Sequence, residues 1–231
     1  MKKTILITGA GTGIGRDAAF ALAARGHQVH ASTFSEEQAD ALRAQCATRR
    51  LPLNVFKMDI TSEADRAQIS ALKLDVLINN AGVGESGSLA EVDVNRIRRA
   101  FEVNVFATLE LTQLVLKPMI ARASGTVLFV SSIAGRIPMP FLMPYSMTKF
   151  ALSAAGAGLR AEMDQLGKNI QITLIEPGRR CTISRGVPAG AITPYQLATS
   201  KPAIPSSMKV GTSGSCARRF GVEMARPCSL P

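Results

Sequence analysis

The sequence predicts an α/β fold in a single domain, built on a doubly wound parallel sheet. Short apolar segments alternate with longer helical patterns from residue 4 to about residue 176. Such alternation produces right-handed crossovers and a parallel sheet that is covered on both faces. A glycine-rich turn, Gly9 to Gly15, follows the first apolar segment and precedes the first helical pattern. Because a dinucleotide-binding turn has this context, the expected architecture is Rossmann-like.

Six strands and five helices are expected along this part of the chain. Each predicted strand is a short apolar run of the kind that lies buried in a parallel sheet. The strands are expected near residues 4–8, 27–33, 52–57, 74–79, 125–131 and 170–175. The helices are expected between them, near residues 13–25, 36–48, 62–71, 94–121 and 144–166. The expected strand order is 3-2-1-4-5-6, which places a ligand site at the carboxyl edge where the order reverses.

Composition indicates a soluble protein without a metal site. The chain has 231 residues, enough for one domain with a large core. No apolar run approaches the roughly 18 residues of a membrane-spanning helix, so no membrane partner is expected. The four cysteines have no metal-ligand spacing, and His27 and His30 are expected to be structural or solvated. The start, Met-Lys-Lys before a strand, gives no sign of a signal peptide, so a cytoplasmic location is expected.

The positive charge is concentrated at the carboxyl-terminal end. The net charge is +10, and residues 179–231 hold eight Lys or Arg and one acid, which accounts for +7 of it. Residues 1–178 are therefore ordinary in charge. The basic residues of the tail are scattered, and only Tyr195 and Phe220 are aromatic there. A nucleic-acid partner is therefore not expected.

Residues 179–231 also differ in pattern from the rest of the chain. They contain six of the twelve prolines and three of the four cysteines, with no periodic apolar segment. We therefore assign residues 1–178 to a dinucleotide-binding and catalytic domain and residues 179–231 to an irregular basic tail. Three origins of this tail are open: a frameshifted or mis-assembled coding sequence, a divergent or disordered segment, and an unusual substrate lid. An irregular tail would leave the sixth strand as an unpaired sheet edge.

A tyrosine and a lysine four residues apart carry the strongest chemical signal. They lie in Tyr145-Ser-Met-Thr-Lys149, thirteen residues after Ser132. Residues four apart share one face of a helix and are separated by about 6 Å along its axis. An ammonium group at that position stabilises phenolate and so lowers the pKa of the tyrosine toward the working pH. A general acid that protonates a developing alkoxide needs such a pKa.

Five motifs in this order resemble those of the short-chain dehydrogenase/reductase family. They share the family's order and spacing across about three quarters of the chain. The motifs are Thr8-Gly9-x-x-x-Gly13-Ile14-Gly15, Asn79-Asn80-Ala81-Gly82, Asn104, Ser131-Ser132 with Tyr145 and Lys149, and Pro177-Gly178. Thr182 fits the family's Pro-Gly-x-x-x-Thr pattern, and the resemblance stops there.

The resemblance implies an NAD(P)-dependent oxidoreductase that moves hydride between a nicotinamide cofactor and a carbonyl or alcohol. It implies that Tyr145 transfers the proton and that Lys149 lowers the tyrosine pKa and binds the nicotinamide ribose. Ser132 would orient the carbonyl oxygen. Asn104 would hold a helix distortion and a water near Lys149, and a purely structural asparagine is the alternative.

The resemblance also implies cofactor contacts from the glycine turn and from the ends of several strands. The implied contacts are Gly9, Thr12, Gly13, Ile14, Gly15, Thr33, Asp59, Ile60, Asn80, Ala81, Gly82, Tyr145, Lys149, Pro177 and Gly178. For Asp59 and Ile60, an ordinary helix cap before Thr61 is the alternative.

The end of the second strand decides between the two cofactors. It reads Ser32-Thr33-Phe34, with neither an acid that would repel a 2′-phosphate nor an arginine that would bind one. NAD and NADP therefore both remain open, with a slight preference for NADP.

The remaining expectations concern substrate, assembly and alternative functions. The apolar segment 137–144 favours a hydrophobic carbonyl substrate. In the family, long helices such as 94–121 and 144–166 pair across subunits, which implies a homodimer or homotetramer. A non-catalytic dinucleotide sensor or regulator on the same fold is one alternative. A C-terminally damaged, weakly active enzyme is another. The intact proton donor favours an enzyme, since a sensor has no use for it.

Overall fold

The computed structural model describes residues 1–178, which contain a six-stranded parallel sheet. The strands are β1 (Thr4–Ile7), β2 (Gln28–Thr33), β3 (Leu53–Lys57), β4 (Val76–Asn79), β5 (Ser124–Val130) and β6 (Asn169–Ile175). Their order is β3-β2-β1-β4-β5-β6, and every adjacent pair is parallel. The predicted doubly wound sheet and its strand order are confirmed. The predictions for the tail, including the role of Thr182, the domain boundary and the pairing of β6 with later residues, lie outside the described residues.

The helices lie near their predicted positions, except that one of them is divided and the one predicted near residues 62–71 is shorter. They are α1 (Gly13–Ala24), α2 (Glu36–Arg49), α3 (Glu63–Ala67), α4 (Val94–Phe101), α5 (Thr108–Ala121) and α6 (Met143–Gln165). A single helix was predicted near residues 94–121, but a π-helical segment, Glu102–Ala107, separates α4 from α5. No helix within residues 1–178 combines the length and apolarity needed to cross a membrane.

The core is divided between the two faces of the sheet. Successive side chains of a strand point to opposite faces. In β1, Ile5 and Ile7 belong to the cluster that packs under α1 and α2 with Phe20 and Leu42. Leu6, between them, belongs to the cluster on the other face, beneath α5 and α6. Both faces are thus covered, and the carboxyl ends of β1 and β4 meet at the point where the strand order reverses.

Candidate active site

The turn after β1 has a backbone that requires glycine. Gly9 adopts φ +64°, in the left-handed region, and Gly13 adopts φ +58°. A Cβ added to Gly9 would lie 2.7 Å from the Cα of Ala81, at the end of β4. The turn therefore lies against the neighbouring strand and leads into α1, so the free amide groups of the first helical turn face the cleft above it.

We expect Gly9→Ala to destabilise the fold by about 2–5 kcal/mol. A left-handed residue with a Cβ costs roughly 1–2 kcal/mol, and forced overpacking adds roughly 1–3 kcal/mol. Urea unfolding at constant pH measures the change. Gly158→Ala is the matched control, because Gly158 lies in α6 with open space around it and alanine should stabilise that helix by about 0.5–1 kcal/mol. Equal stability of Gly9→Ala and the unmodified chain would contradict this description of the turn.

The residues that immediately follow β1 and β4 join the turn to the end of β4 through hydrogen bonds. The hydroxyl oxygen of Thr8 accepts hydrogen bonds from the backbone amides of Asn80 and Ala81, at 3.1 and 3.0 Å. The amide nitrogen of the Asn80 side chain donates to the carbonyls of Thr8 and Gly9, at 2.9 and 3.0 Å. Gly15 packs beside the Asn80 side chain. Asn80 therefore fixes the glycine turn with its side chain, while its backbone borders the clefts.

A cleft of about 430 Å³ opens above this turn, and we call it the first cleft. It contains seven of the residues predicted to bind the cofactor. These are Gly9, Thr12, Asp59, Ile60, Asn80, Ala81 and Gly82. Sequence reasoning omitted several other lining residues, which are Gly11, Phe34, Gln38, Met58, Thr61, Val83 and Val103.

Thr33 lines neither of the two clefts, and its role as a cofactor contact stays a prediction. Its side chain is fully buried, and its hydroxyl donates to the carbonyl of Ser35 at 3.0 Å. The next residue, Phe34, lies in the first cleft and is 63% exposed. Gln38 joins it from α2, where its Oε1 accepts from the Phe34 amide at 3.3 Å. Phe34 adjoins the predicted position, but no sequence motif marks Gln38.

Asp59 lies in the first cleft and does not cap a helix. Its Oδ1 accepts from the amide and the hydroxyl of Thr61, at 2.9 and 2.8 Å. The cap of α3 is Ser62, whose hydroxyl oxygen accepts from the Asp65 amide. Ile60 is held through its carbonyl, which accepts from the buried guanidinium of Arg66 at 2.6 Å. The helix-cap alternative for Asp59 is therefore wrong, and its carboxylate instead shapes the wall of the cleft.

A second cleft, of about 370 Å³, contains the predicted catalytic residues. It shares Asn80, Gly82 and Val83 with the first cleft, so the two adjoin. Ser132, Tyr145 and Lys149 line it, and so do the predicted cofactor contacts Ile14, Pro177 and Gly178. Gly84, Val130 and Ser131 complete its lining. The topology thus brings together residues from the ends of β4, β5 and β6 and from α6.

Tyr145 and Ser132 both line the second cleft. Burial raises the pKa of Tyr145 above its ordinary value, and the hydrogen bond to Ser132 acts in the opposite direction. The Ser132 hydroxyl oxygen also accepts from the amide of Ala134 at 3.1 Å, which fixes its position at the end of β5. The tyrosine is half-buried and lies in the first turn of α6, where its own amide donates to the carbonyl of Glu85 at 3.2 Å. A tyrosine in this environment stays protonated at neutral pH and can donate its proton.

Lys149 is only 4% exposed and lies one helical turn after the tyrosine. Its Nζ donates to the carbonyl of Val130 at 2.9 Å and lies 5.5 Å from the centroid of the Tyr145 ring. Burial lowers the pKa of Lys149 from 10.5 to about 8. The net shift of the Tyr145 pKa is upward, opposite in direction to the lowering expected from the lysine. The ammonium is paired with Val130, and burial of the phenol is the larger effect.

Asn104 supports the site from the π-helical segment. It is 1% exposed, and its Oδ1 accepts from the Val83 amide at 2.8 Å. Its Nδ2 donates to the Val83 carbonyl at 2.9 Å and to the Thr148 hydroxyl at 3.0 Å. The predicted helix distortion is present at this residue. Because Asn104 contacts both the loop after β4 and the helix of the lysine, it holds the two walls of the second cleft together.

The histidines form hydrogen bonds within the sheet. The Nδ1 of His27 accepts from the Lys3 amide, and His30 contacts the Asn54 side chain at 2.9 Å. Within residues 1–178, no group of three histidine, cysteine, aspartate or glutamate side chains is placed to hold a metal ion.

Comparisons with known proteins agree with this geometry. A family model described as short chain dehydrogenase matches residues 3–185. The uncharacterized oxidoreductase YusZ of Bacillus subtilis is 34% identical over 184 residues, which cover 77% of this chain and 65% of that protein. The chain spans 56 to 65% of the length of the curated relatives it matches.

Solved structures have the same fold. A short-chain dehydrogenase from Streptomyces avermitilis superposes with a TM-score of 0.69 at 31% identity, covering 76% of this chain and 65% of that one. A short-chain dehydrogenase from Sphingobium yanoikuyae, solved in complex with NADPH, superposes with a TM-score of 0.68 at 27% identity. That alignment covers 76% of this chain and 71% of the other.

Proposed function

The chain belongs to the short-chain dehydrogenase/reductase family of oxidoreductases, and we propose that it transfers hydride between NAD(P) and a carbonyl or alcohol carbon. The single observation that carries this proposal is the second cleft, in which Ser132, Tyr145 and Lys149 converge. The proton donor, the group that orients its target and a buried cation line the same cavity. A protein that only senses a dinucleotide has no need of that arrangement.

The two adjoining clefts fit an extended dinucleotide. Gly9 has no side chain to fill the space beside Ala81. The first amides of α1 face the place where the two clefts adjoin, which suits a pyrophosphate. The first cleft supplies Phe34, Gln38 and Asp59 for an adenosine. The second cleft would hold the nicotinamide riboside beside Lys149. These residues therefore suit NAD or NADP, whose nicotinamide supplies or accepts the hydride when bound.

The chain's own residues account for the proton transfer. In carbonyl reduction, the Tyr145 hydroxyl donates its proton to the oxygen that becomes an alkoxide. Ser132 donates a hydrogen bond to the same oxygen and holds it near the tyrosine. The ammonium of Lys149, one turn along α6, stabilises the phenolate that remains. Asn104 keeps the lysine helix and the loop at Val83 at a fixed separation. Because burial raises the tyrosine pKa, the resting site is set up to donate a proton.

We expect both NAD⁺ and NADP⁺ to bind, with dissociation constants within about tenfold of each other, or about 1.4 kcal/mol. The slight preference for NADP stays as predicted from the sequence. The reason for weak discrimination is that Phe34 and Gln38, which line the adenosine end, carry no charge. Titration calorimetry of the full chain with each dinucleotide measures both constants. If neither dinucleotide bound at millimolar concentration, the cofactor assignment would be refuted.

Phe34→Arg gives a sharper test of where the adenosine lies. An arginine there would supply the cation that a 2′-phosphate requires, so NADP⁺ should bind about tenfold more tightly. Binding of NAD⁺ to the same variant is the internal control and should change little. An equal gain for both dinucleotides would show that the arginine acts through general charge and not through the 2′-phosphate.

We further propose a hydrophobic carbonyl substrate and a homo-oligomeric protein. The loop before α6 exposes Ile137 and Phe141 beside the tyrosine helix, which favours apolar substrates. Phe106 and Phe150 are exposed on the π-helical segment and on α6, and a second copy of the chain would cover such a surface. A dimer or tetramer and a cytoplasmic location remain predictions. A panel of decanal, cyclohexanone and benzaldehyde, followed by the loss of reduced-nicotinamide absorbance, samples the substrate class.

A further inference from the structure

A chain of buried hydroxyl groups lies behind the second cleft. The Ser131 and Ser153 hydroxyls are 2.7 Å apart, and each residue is at most 4% exposed. Ser153, on α6, contacts the Oε1 of Glu176 at 3.0 Å. The same Oε1 accepts from the Nε of Arg136 at 2.7 Å. We call Ser131, Ser153, Glu176 and Arg136 the serine–glutamate link. None of these residues has a role in the proton transfer described above.

The Glu176 carboxylate fixes the direction of its hydrogen bond with Ser153. A carboxylate only accepts hydrogen bonds, so the Ser153 hydroxyl must donate to Glu176. The single Ser131 hydroxyl proton is then shared between the Ser153 oxygen at 2.7 Å and the Lys149 carbonyl at 3.1 Å. Without the carboxylate, Ser153 would donate to Ser131 instead and Ser131 to the Lys149 carbonyl, so the hydroxyls would stay paired while the hydrogen bond that ties α6 to Glu176 would be lost.

The two ends of the link adjoin the residues of the second cleft. Ser131 immediately precedes Ser132, and its amide donates to the carbonyl of Ile175 at 2.8 Å. Glu176 immediately precedes Pro177, whose carbonyl accepts from the Ile133 amide at 3.0 Å. The link therefore connects the end of β5, the helix of the lysine and the end of β6.

The packing is tight at the Ser131 end of the link. A Cβ added to Gly135 would lie 2.7 Å from the carbonyl oxygen of Lys149 and 2.9 Å from the Ser131 hydroxyl oxygen. Since protein interiors transmit small displacements, a shift of Glu176 should reach Ser131 and the neighbouring catalytic serine.

We infer that Glu176 is a positioning residue, which holds the Pro177–Gly178 turn against Ser132 and Lys149 through Ser153 and Ser131. This inference rests on the proposed function, because the turn is proposed to border the nicotinamide. Its specific consequence is that Glu176 orders the nicotinamide end of a bound dinucleotide and leaves the adenosine end unaffected. Small errors in the placement of reacting groups cost large factors in rate.

The experiment uses the full chain with substitutions at both ends of the Ser153–Glu176 contact. Glu176→Ala and Ser153→Ala remove the contact, and Glu176→Gln keeps an oxygen that can accept from Ser153. The matched control is Arg160→Gln, because Arg160 on α6 also donates to β6, at the Ile172 carbonyl (2.8 Å), away from the clefts. Each protein is titrated with NADH and NADPH, and the fluorescence enhancement of the bound nicotinamide is recorded beside the dissociation constant.

We expect Glu176→Ala and Ser153→Ala to lose at least half of the fluorescence enhancement, with dissociation constants changed by less than about fivefold. Turnover of the best carbonyl of the panel should fall about tenfold, within the range for misplaced reacting groups. Glu176→Gln should recover most of both signals, and Arg160→Gln should leave both unchanged while lowering stability.

Two results would overturn the inference. The first is a fluorescence enhancement that stays unchanged in Ser153→Ala and Glu176→Ala. The second is a loss of fluorescence enhancement in Arg160→Gln as large as in those two variants, which would indicate general loosening of the α6–β6 packing. Ser153→Ala keeps the test decisive even where Glu176→Ala fails to fold. A failure of the proposed function is distinguishable, because the unmodified chain would then either show no fluorescence change with either reduced dinucleotide or bind one of them without turning over any carbonyl of the panel.

Discussion

Tyr145→Phe should lower kcat for carbonyl reduction by at least about 100-fold, since positioned proton donors contribute factors of about 10²–10⁴. The substitution removes only the hydroxyl, so the ring still fills its half-buried position at the start of α6. The adjoining serine and lysine remain, and the contacts proposed for the adenosine and the pyrophosphate lie elsewhere. Dissociation constants for NAD⁺ and NADP⁺ should therefore change little. Steady-state kinetics and titration calorimetry on the same preparation measure both quantities.

The proton-donor assignment depends on this separation between turnover and binding. If Tyr145→Phe kept more than a few per cent of the unmodified rate, another group would have to supply the proton. If binding of the dinucleotide were lost as well, the tyrosine would serve mainly to build the cleft. Urea unfolding of the variant provides the control for folding, with an expected change below about 1 kcal/mol.

Lys149→Met should abolish most activity and, at neutral pH, stabilise the fold. Because burial lowers the lysine pKa from 10.5 to about 8, protonation favours the unfolded chain. The stability conferred by the neutral lysine is complete above the unfolded pKa and is lost as the pH falls toward 8. At pH 7 this cost is roughly 3 kcal/mol, and losing the hydrogen bond to Val130 offsets about 1 kcal/mol of the gain. We therefore expect a net stabilisation of about 1–2 kcal/mol.

The pH dependence distinguishes this effect from ordinary repacking. Urea unfolding of Lys149→Met and of the unmodified chain at pH 7 and pH 10 should show a gain that shrinks or changes sign at the higher pH. Lys168→Met is the matched control, because this exposed lysine also donates to a backbone carbonyl, that of Ile120 at 2.9 Å. The control should change stability by less than about 0.5 kcal/mol at both pH values. A gain at Lys149 that is the same at pH 7 and pH 10 would contradict the buried-cation account.

The strand order and most of the site could be predicted because they depend on local patterns. Short apolar runs and the glycine turn fix where the strands end, and the ends of parallel strands meet at one edge of the sheet. This is why Gly9, Asn80 and Ser132 come together although they are far apart in the chain. The spacing of Tyr145 and Lys149 places both on α6 facing the same cleft, as a helix requires.

Other features depend on contacts that the sequence does not encode locally. The π-helical segment interrupts an apolar pattern that reads as one helix, because buried Asn104 pairs with Val83, a residue of another loop. Thr33 ends β2 and was expected to contact the cofactor. The side chains that reach the first cleft near it are those of Phe34 and of Gln38, which lies in the first turn of α2. The tyrosine pKa also depends on burial by the whole fold, and this effect opposes the one expected from the nearby lysine.

The most direct test of hydride transfer is an isotope-transfer measurement. The full chain is incubated with the carbonyl panel and with NADPH or NADH that carries deuterium at both positions of the hydride-donating carbon. Mass spectrometry then locates the label in the product. The account predicts deuterium on the carbinol carbon with the unmodified chain and at least about 100-fold slower transfer with Tyr145→Phe. A bound dinucleotide that transfers no label to any carbonyl, or equal transfer by the two proteins, would contradict it.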